Sequence, residues 1–369
     1  MLTLGIARAS GAEDLPDRLE RDLAALAAPL AIDPSLSRGA RDHGLELLEG
    51  SAAELTSLKR VLTRQGVMDA QILPFSAIGP NPEDLEGELR RFVRGRVLDR
   101  GFTNFGLAWV GSPSGRNVLV AVFVRRLLDL GPIPRSTSAP ELGLRGRLLL
   151  DLPLSALMTV PGGEVVEVEV QRNGRSVSIP LSFEHGKGRY TFEALVDGPR
   201  GPEVAALWSI GFGAPPPDEP APLGAGIDGR AQLRERLDRE RRALGRAPLA
   251  ESVALTKAAD AHARAVCERL LAVHVLPRGE GPEARAARAG YRGRVAENVA
   301  IAGTVAEAHR NLMESPSHRR NVLRKEAKDV GLGVVRRSPV TNGVMGPSDL
   351  TAPAIGAAPW CVVELFGAH

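Results

Sequence analysis

Between residues 144 and 212 apolar and polar side chains alternate over short runs: V-V-E-V-E-V, S-V-S-I-P-L-S-F and R-Y-T-F-E-A-L-V. A period of two puts one face of a strand against a core and the other toward solvent. Turn signals separate the runs, with P-G-G at Pro161, N-G at Asn173 and H-G-K-G at His185. About six or seven short strands at this spacing predict a small Ig-like β-sandwich over 138–213. Nothing in it has a catalytic pattern, and His185 is placed in an exposed turn.

The period changes beyond residue 229. Leu233, Leu237 and Leu244 mark one helix face over 230–244, with Gly245 placed to end it. A second helix is predicted over 251–271, turning Val253, Leu255, Ala258, Ala259, Ala263, Val266 and Leu270 inward. A third covers 304–314, where Thr304 and Glu307 have the spacing of a capping box. Strands follow at 329–335 and 359–366, separated by a Gly/Pro-rich loop over 338–358 that is too long for a tight turn.

Punctuation between these patterns divides the chain. A-P-P-P-D-E-P-A-P-L-G at 214–224 can continue neither helix nor sheet and reads as a linker. A softer boundary lies at 131–140. The units expected are thus 1–130, the sandwich at 138–213, the linker at 214–224 and a C-terminal domain at 225–369. The first unit echoes the last. Pro29, Leu30, Ala31, Leu36, Ala40 and His43 match Pro248, Leu249, Ala250, Leu255, Ala259 and His262 in order and spacing. F-G-L-A-W-V from Phe105 parallels V-G-L-G-V-V from Val330, and V-L-V-A-V-F-V parallels C-V-V-E-L-F. This agreement predicts a duplicated α/β fold. Residues 72–79, opposite the A-E-N run, lack a Glu, so the first unit is expected to keep the packing and lose the chemistry.

Composition narrows the classes. The 369 residues are 43% hydrophobic, enough for real cores, but only 4% aromatic, which argues against a stacking platform for single-stranded nucleic acid. No apolar run approaches the ~18 residues of a membrane span. Residues 1–12 lack the basic and apolar regions of a secretory signal. That fits a protein kept inside, and equally a leader missing from this chain. From residue 225 onward there are 23 Lys+Arg against 16 Asp+Glu, while the remainder is net negative. Such asymmetry suits an anionic partner, although arginines on solvated helix faces explain it as well. The two cysteines, Cys267 and Cys361, lie in apolar runs and form no Cys-x-x-Cys, which excludes a thiolate zinc site. Buried free thiols and a single disulfide both remain open. No G-x-S-x-G elbow, Walker loop or dinucleotide fingerprint is present.

Candidate chemistry concentrates in one stretch. His274, Glu297 and His318 are separated polar groups inside runs that otherwise read as helix or loop packing. Imidazole and carboxylate are the side chains that bind metals or move protons near neutral pH. Ser315 and Ser317 are close to His318 in sequence, but neighbours on a tight loop rarely have the geometry of a Ser–His pair. His43, His262 and His309 are read as packing or surface residues.

The blocks around these residues carry a family resemblance. L-D-R-E-R at Leu237 is followed by Gly245 and Pro248-Leu249, then by V-H at His274 and R-A-A-R-A-G-Y from Arg285 to Tyr291. A-E-N-V-A at Ala296, S-P-S-H-R-R-N-V-L at Ser315 and V-G-L-G-V at Val330 complete the order. Together they resemble the CAP superfamily (cysteine-rich secretory proteins, antigen 5 and pathogenesis-related 1) in its bacterial SCP-like form. Ala272, Ala296 and Leu312 stand where the family has an aromatic, a glycine and a tryptophan.

The resemblance, which covers residue 225 onward, implies an αβα sandwich at the C-terminus. With the central β-sandwich and a degenerate CAP-like unit at the N-terminus, both read from pattern alone, the expected class is α+β. The resemblance further implies a surface cleft on which His274, His318 and Glu297 converge. Two imidazoles and a carboxylate there suit zinc or another divalent cation, with His274 and His318 as ligands and Glu297 as third ligand or as a base off the metal. The alternative is a pair of hydrogen-bonded histidines in a cleft that holds no metal. Glu297 and His318 are then the catalytic candidates. A second acidic group is expected near Glu314, although Ser315 holds its usual position. Asn298, Ser315, Arg319 and Asn321 are expected to support the cleft. The function implied is an extracytoplasmic bacterial binding module, secreted, periplasmic or surface-held, for a lipid, sterol-like or cell-envelope ligand. The alternative is a zinc-assisted hydrolase using the same cleft. A purely structural role is a third reading. Nucleic acid is not an expected partner, and no oligomeric state follows from the letters.

Overall fold

The computed structural model describes residues 15–26, 30–50, 55–98, 100–113, 115–217, 229–337 and 359–369. The leader region 1–12, the loop 338–358 and the linker beyond residue 217 lie outside the described residues. The chain divides into two compact units.

The first unit contains α1 (Leu15–Leu26), β1 (Ala31–Ile32), α2 (Pro34–Leu48), α3 (Leu55–Arg64), β2 (Ile72–Gly79), α4 (Pro82–Phe92), a π-helical turn (Val93–Val97), β3 (Asn104–Gly111) and β4 (Asn117–Val124). Its sheet has the order β1-β3-β4-β2, parallel in the first pair and antiparallel in the others. Strand alternation builds two cores. Leu119, Ala121 and Phe123 pack with α1 and α4, while Val118, Val120, Val122 and Val124 pack with α2 and α3.

Buried in α2 is His43, 1% exposed, with neither ring nitrogen hydrogen-bonded. Burial, only partly opposed by nearby Glu46, lowers its pKa to about 4. A neutral, unpartnered imidazole costs more in a core than a hydrocarbon of similar size. We expect His43→Leu to stabilise this unit by about 1–3 kcal/mol in urea unfolding near pH 7. Its advantage should widen as pH falls from 6.5 to about 4. Over that range the unfolded histidine takes up a proton that the folded one refuses, so the native protein loses stability in acid, by roughly 3 kcal/mol in total. An advantage that stays flat across that range would refute the assignment.

The second unit contains Met68–Gln71, a β-sandwich and the C-terminal domain. The sandwich strands are β5 (Leu128–Leu130), β6 (Ser136–Thr137), β7 (Glu141–Leu148), β8 (Leu154–Thr159), β9 (Val165–Val168), β10 (Gln171–Asn173), β11 (Ser176–Ser182), β12 (Gly188–Gly198) and β13 (Gly201–Phe212). They form sheets β10-β11-β7-β5 and β6-β13-β12-β8-β9, closed around Tyr190, Phe192, Trp208 and Ile179. Nine strands replace the expected six or seven because β5, β6 and β10 span only two or three residues, too few to show alternation.

The C-terminal domain follows with α5 (Arg230–Ala243), β14 (Ala250–Glu251), α6 (Val253–Arg269), α7 (Pro282–Arg288), β15 (Arg294–Ala302), α8 (Val305–Glu314), α9 (Pro316–Val322), β16 (Asp329–Arg336) and β17 (Trp360–Ala368). The second predicted helix starts two residues late. Ala250 and Glu251 pair in parallel with Asp329 and Val330, and the Ser252 hydroxyl then caps α6 by accepting from Leu255 N. Val253, expected inside, opens the helix and is 87% exposed. Thr304 caps α8 as predicted, accepting from Glu307 N. The strand β15 had no sequence signal. Helices cover both faces of the sheet, so V-A-E-N-V-A-I-A is buried except at Ala296 and Ile301, which are partly buried, and shows no solvent alternation. The sheet order is β14-β16-β17-β15. Cys361, Val363 and Leu365 of β17 pack with α6 and α7, and Val362 and Phe366 with α5 and α8. This is an αβα sandwich.

Its pairing pattern is the one seen in the first unit: a two-residue parallel edge strand followed by two antiparallel pairs. The close packing repeats as well. A Cβ at Gly331 would lie 2.2 Å from the Leu255 backbone carbon, and one at Gly106 2.2 Å from the Ser37 backbone nitrogen. In each unit only glycine lets the first long helix lie this close to the sheet.

Candidate functional site

The strand β15 forms the outer edge of the C-terminal sheet, and the site is assembled around it. Glu297 points to the face covered by α6 and α7, and Asn298 to the opposite face. His274 lies in the loop after α6. His318 lies in α9, on the other side. Past the sheet edge their rings meet, with centroids 6.5 Å apart. The structure thus brings these two imidazoles together.

Each ring is held through Nδ1. His274 Nδ1 donates to Glu297 Oε1 at 3.0 Å. The other oxygen of Glu297 accepts from Arg285 Nη2, and Arg285 Nη1 donates to the carbonyls of His274 (2.9 Å) and Glu280. His262 Nε2 bonds the Val273 carbonyl at 2.9 Å and comes within 3.9 Å of Glu297. Glu297 is therefore buried but fully partnered. Burial pushes its pKa up; the His274 hydrogen bond and the charges of Arg285, His262 and His274 outweigh this and hold it below the usual carboxylate range.

On the second side His318 Nδ1 is 2.7 Å from Ser315 Oγ. Burial, with the like charge of His274 adding to it, lowers the His318 pKa to about 3, so its ring is neutral near pH 7 even though part of the residue stays accessible. Ser315 and His318 do approach, contrary to expectation. Yet the Ser315 hydroxyl also lies 2.5 Å from Glu193 Oε1 of β12, and Ser317 N donates to Glu193 Oε2 at 2.6 Å. Ser315 is thus a buried linker between His318 and a carboxylate, in no position to act as a nucleophile.

The remaining expected residues brace this frame. Asn298 Nδ2 donates to the His318 carbonyl (3.1 Å) and to Glu364 Oε2 (2.9 Å). Asn321 Nδ2 donates to Asn298 Oδ1 (3.0 Å) and the Glu297 carbonyl (3.3 Å). Arg319 Nε donates to the Gly163 carbonyl at 2.8 Å. The carboxylate that meets the Ser315 hydroxyl is Glu193 of β12, a residue that no motif marks. His309, read as a surface residue, is 5% exposed and lies 3.9 Å from buried Glu364. Arg285 was quoted within a motif but given no role; a lone arginine in a helical run has no signal for burial.

The donor set decides what can be held. Among the described residues, Nε2 of His274 and of His318 has no protein hydrogen-bond partner, and each ring is fixed through Nδ1. A protein-held zinc needs three ligands. Glu297 is committed to Arg285 and His274, and no group of three His, Cys, Asp or Glu among the described residues is placed to hold a metal ion. Two ligands alone do not fit a three-ligand zinc site.

Cys267 and Cys361 form a disulfide that ties α6 to β17 behind the site. No helix among the described residues is long and apolar enough to cross a membrane.

The chain is similar to several solved structures, among them the following three. An outer surface protein of Borrelia burgdorferi is 20% identical over 40% of this chain and 99% of its own, with a TM-score of 0.31. An extracellular SCP-domain protein of Bacillus anthracis is 15% identical over 55% of this chain and 67% of its own, at 0.30. A cysteine-rich secretory protein of Staphylococcus aureus is 10% identical over 92% and 98%, at 0.28. No curated protein matches the chain. The family model of the cysteine-rich secretory protein (CAP) family matches residues 234–345. With the αβα sandwich and the motif blocks in register, this match establishes that the chain carries a CAP domain.

Proposed function

We propose that this protein is an extracytoplasmic binding module for an anionic, phosphate-bearing envelope ligand. The carrying observation is a cleft of about 500 Å³ in which Arg246, Arg320, Arg324 and Lys325 outnumber Glu164 and Glu326. Asn321 belongs both to this cleft and to the frame under Glu297. Two of these cations make loose ion pairs, Arg246–Glu164 at 3.7 Å and Arg324–Glu326 at 3.6 Å, while Arg320 Nη1 donates to Glu167 Oε1 at 3.1 Å on the exposed surface. Such pairs contribute little and exchange readily for a phosphate. The disulfide supports an oxidising compartment. Zinc hydrolysis is the weaker reading, since the acid is already committed to Arg285.

Shared strand order, shared helix-to-sheet contact at Gly106 and Gly331, and caps at Asp33 and Ser252 support reading the first unit as a degenerate copy of the CAP domain.

Co-sedimentation tests the ligand class. Vesicles with anionic phospholipid and purified envelope polymer are compared with zwitterionic vesicles, at low and at 0.5 M salt. Binding to one anionic source, lost in salt and weakened at least tenfold by R320A/R324A/K325A, supports the reading and names the source. Equal or absent binding to all of them refutes it. Stoichiometric zinc in the purified protein, lost in H274A/H318A, would favour the hydrolase.

A further inference from the structure

In β12 the residues Tyr190, Phe192, Ala194 and Val196 face the sandwich core. The residues between them should face solvent. Instead Thr191 is 6%, Glu193 0% and Leu195 8% exposed. The surface that covers Glu193 is the Ser315–Ser317 segment of the CAP domain. Two further contacts fasten the same edge. Val275 N donates to the Arg200 carbonyl at 3.0 Å, and a Cβ at Gly201 would lie 2.9 Å from His274 Cβ. The tip of the β12–β13 hairpin thus rests on the His274 loop, while the body of β12 reaches the His318 loop.

We propose that the cleft is shared by two domains and that Glu193, carried by the sandwich, is a positioning residue that sets the tautomer of His318 through Ser315. The proton order follows from valence. Burial raises the pKa of Glu193, against the opposing hydrogen bonds of Ser315 and Ser317. In its ionised form, the one the test at pH 8 addresses, it can only accept, so the hydroxyl proton of Ser315 lies toward Oε1. The lone pair of Ser315 then accepts from His318, whose proton must sit on Nδ1. The bare nitrogen of His318 is therefore Nε2. The sandwich is part of the site and not a spacer beside it.

The test reads the proton directly, by long-range ¹H–¹⁵N correlation of the imidazoles in the full-length protein at pH 8. The native protein should show His318 protonated at Nδ1. Glu193→Gln keeps the shape and reverses the order. Its amide oxygen must still accept from Ser317 N, so its NH₂ group faces Ser315, whose proton then turns to His318 Nδ1. The expected result is a switch of His318 to the Nε2–H form, with His274 unchanged. Should E193Q fail to fold, Ser315→Ala removes the relay and is expected to give the same loss of the Nδ1–H form. An Nε2–H tautomer in the native protein overturns the proposal. So does an Nδ1–H form that survives in E193Q or, in its place, S315A. This readout does not depend on any envelope ligand, so its failure and that of the binding reading are separable.

Discussion

Arg285→Ala is expected to destabilise the second unit by about 3–5 kcal/mol. Arg285 is 8% and Glu297 1% exposed at the side chain, so removing the guanidinium strands a buried carboxylate. It also leaves the carbonyls of His274 and Glu280 without their donor. Replacing both partners by apolar residues removes the charge along with its partner. The pair R285M/E297L should therefore lose less than R285A alone, even though His274 forfeits its anchor. Urea unfolding at pH 7 of both variants checks this, and a loss below about 1 kcal/mol in R285A would refute it. The pH dependence has a definite sign. Glu297 is held below its ordinary value, so its contribution is complete above the unfolded carboxylate pKa and fades as pH falls through the lowered one. The deficit of R285A should shrink in acid.

Loss of the Cys267–Cys361 link is expected to cost about 4 kcal/mol. The bond closes a loop across 94 positions of sequence, and the cost of closure grows with the logarithm of that length. It joins the core face of α6 to a central strand, with Cys361 0% and Cys267 3% exposed, so neither sulfur is open to solvent reductants. The C267A/C361A double variant is the appropriate test. A fall in Tm of about 10 °C relative to the native protein, in calorimetry at neutral pH, is the expected result. An unchanged Tm would show that packing alone holds α6 on the sheet.

Much of this architecture is legible in the letters because local physics writes it there. Thr304 with Glu307, and Leu233 with Leu237, mark helix start and helix face without help from distant residues. The alternation in β12 and β13 marks the sandwich. The order of motif blocks marks the CAP domain, and with it His274, Glu297 and His318. The strand β15 escaped because both of its faces are covered, which erases the period that announces a strand. Val253 was placed inside because a hydrophobic period does not reveal where a helix begins. The disulfide stayed open because two buried cysteines read alike whether joined or free.

The site divides along the same line. Its imidazoles and its acid were named by sequence alone, since residue type and motif spacing carry that information. Arg285 as the partner of Glu297, Ser315 as a relay and Glu193 as the second carboxylate were decided only by the tertiary structure. A side-chain period records which way a residue points relative to its own core. It says nothing about what another domain lays over the opposite face, and that covering surface is what makes Glu193 part of the site.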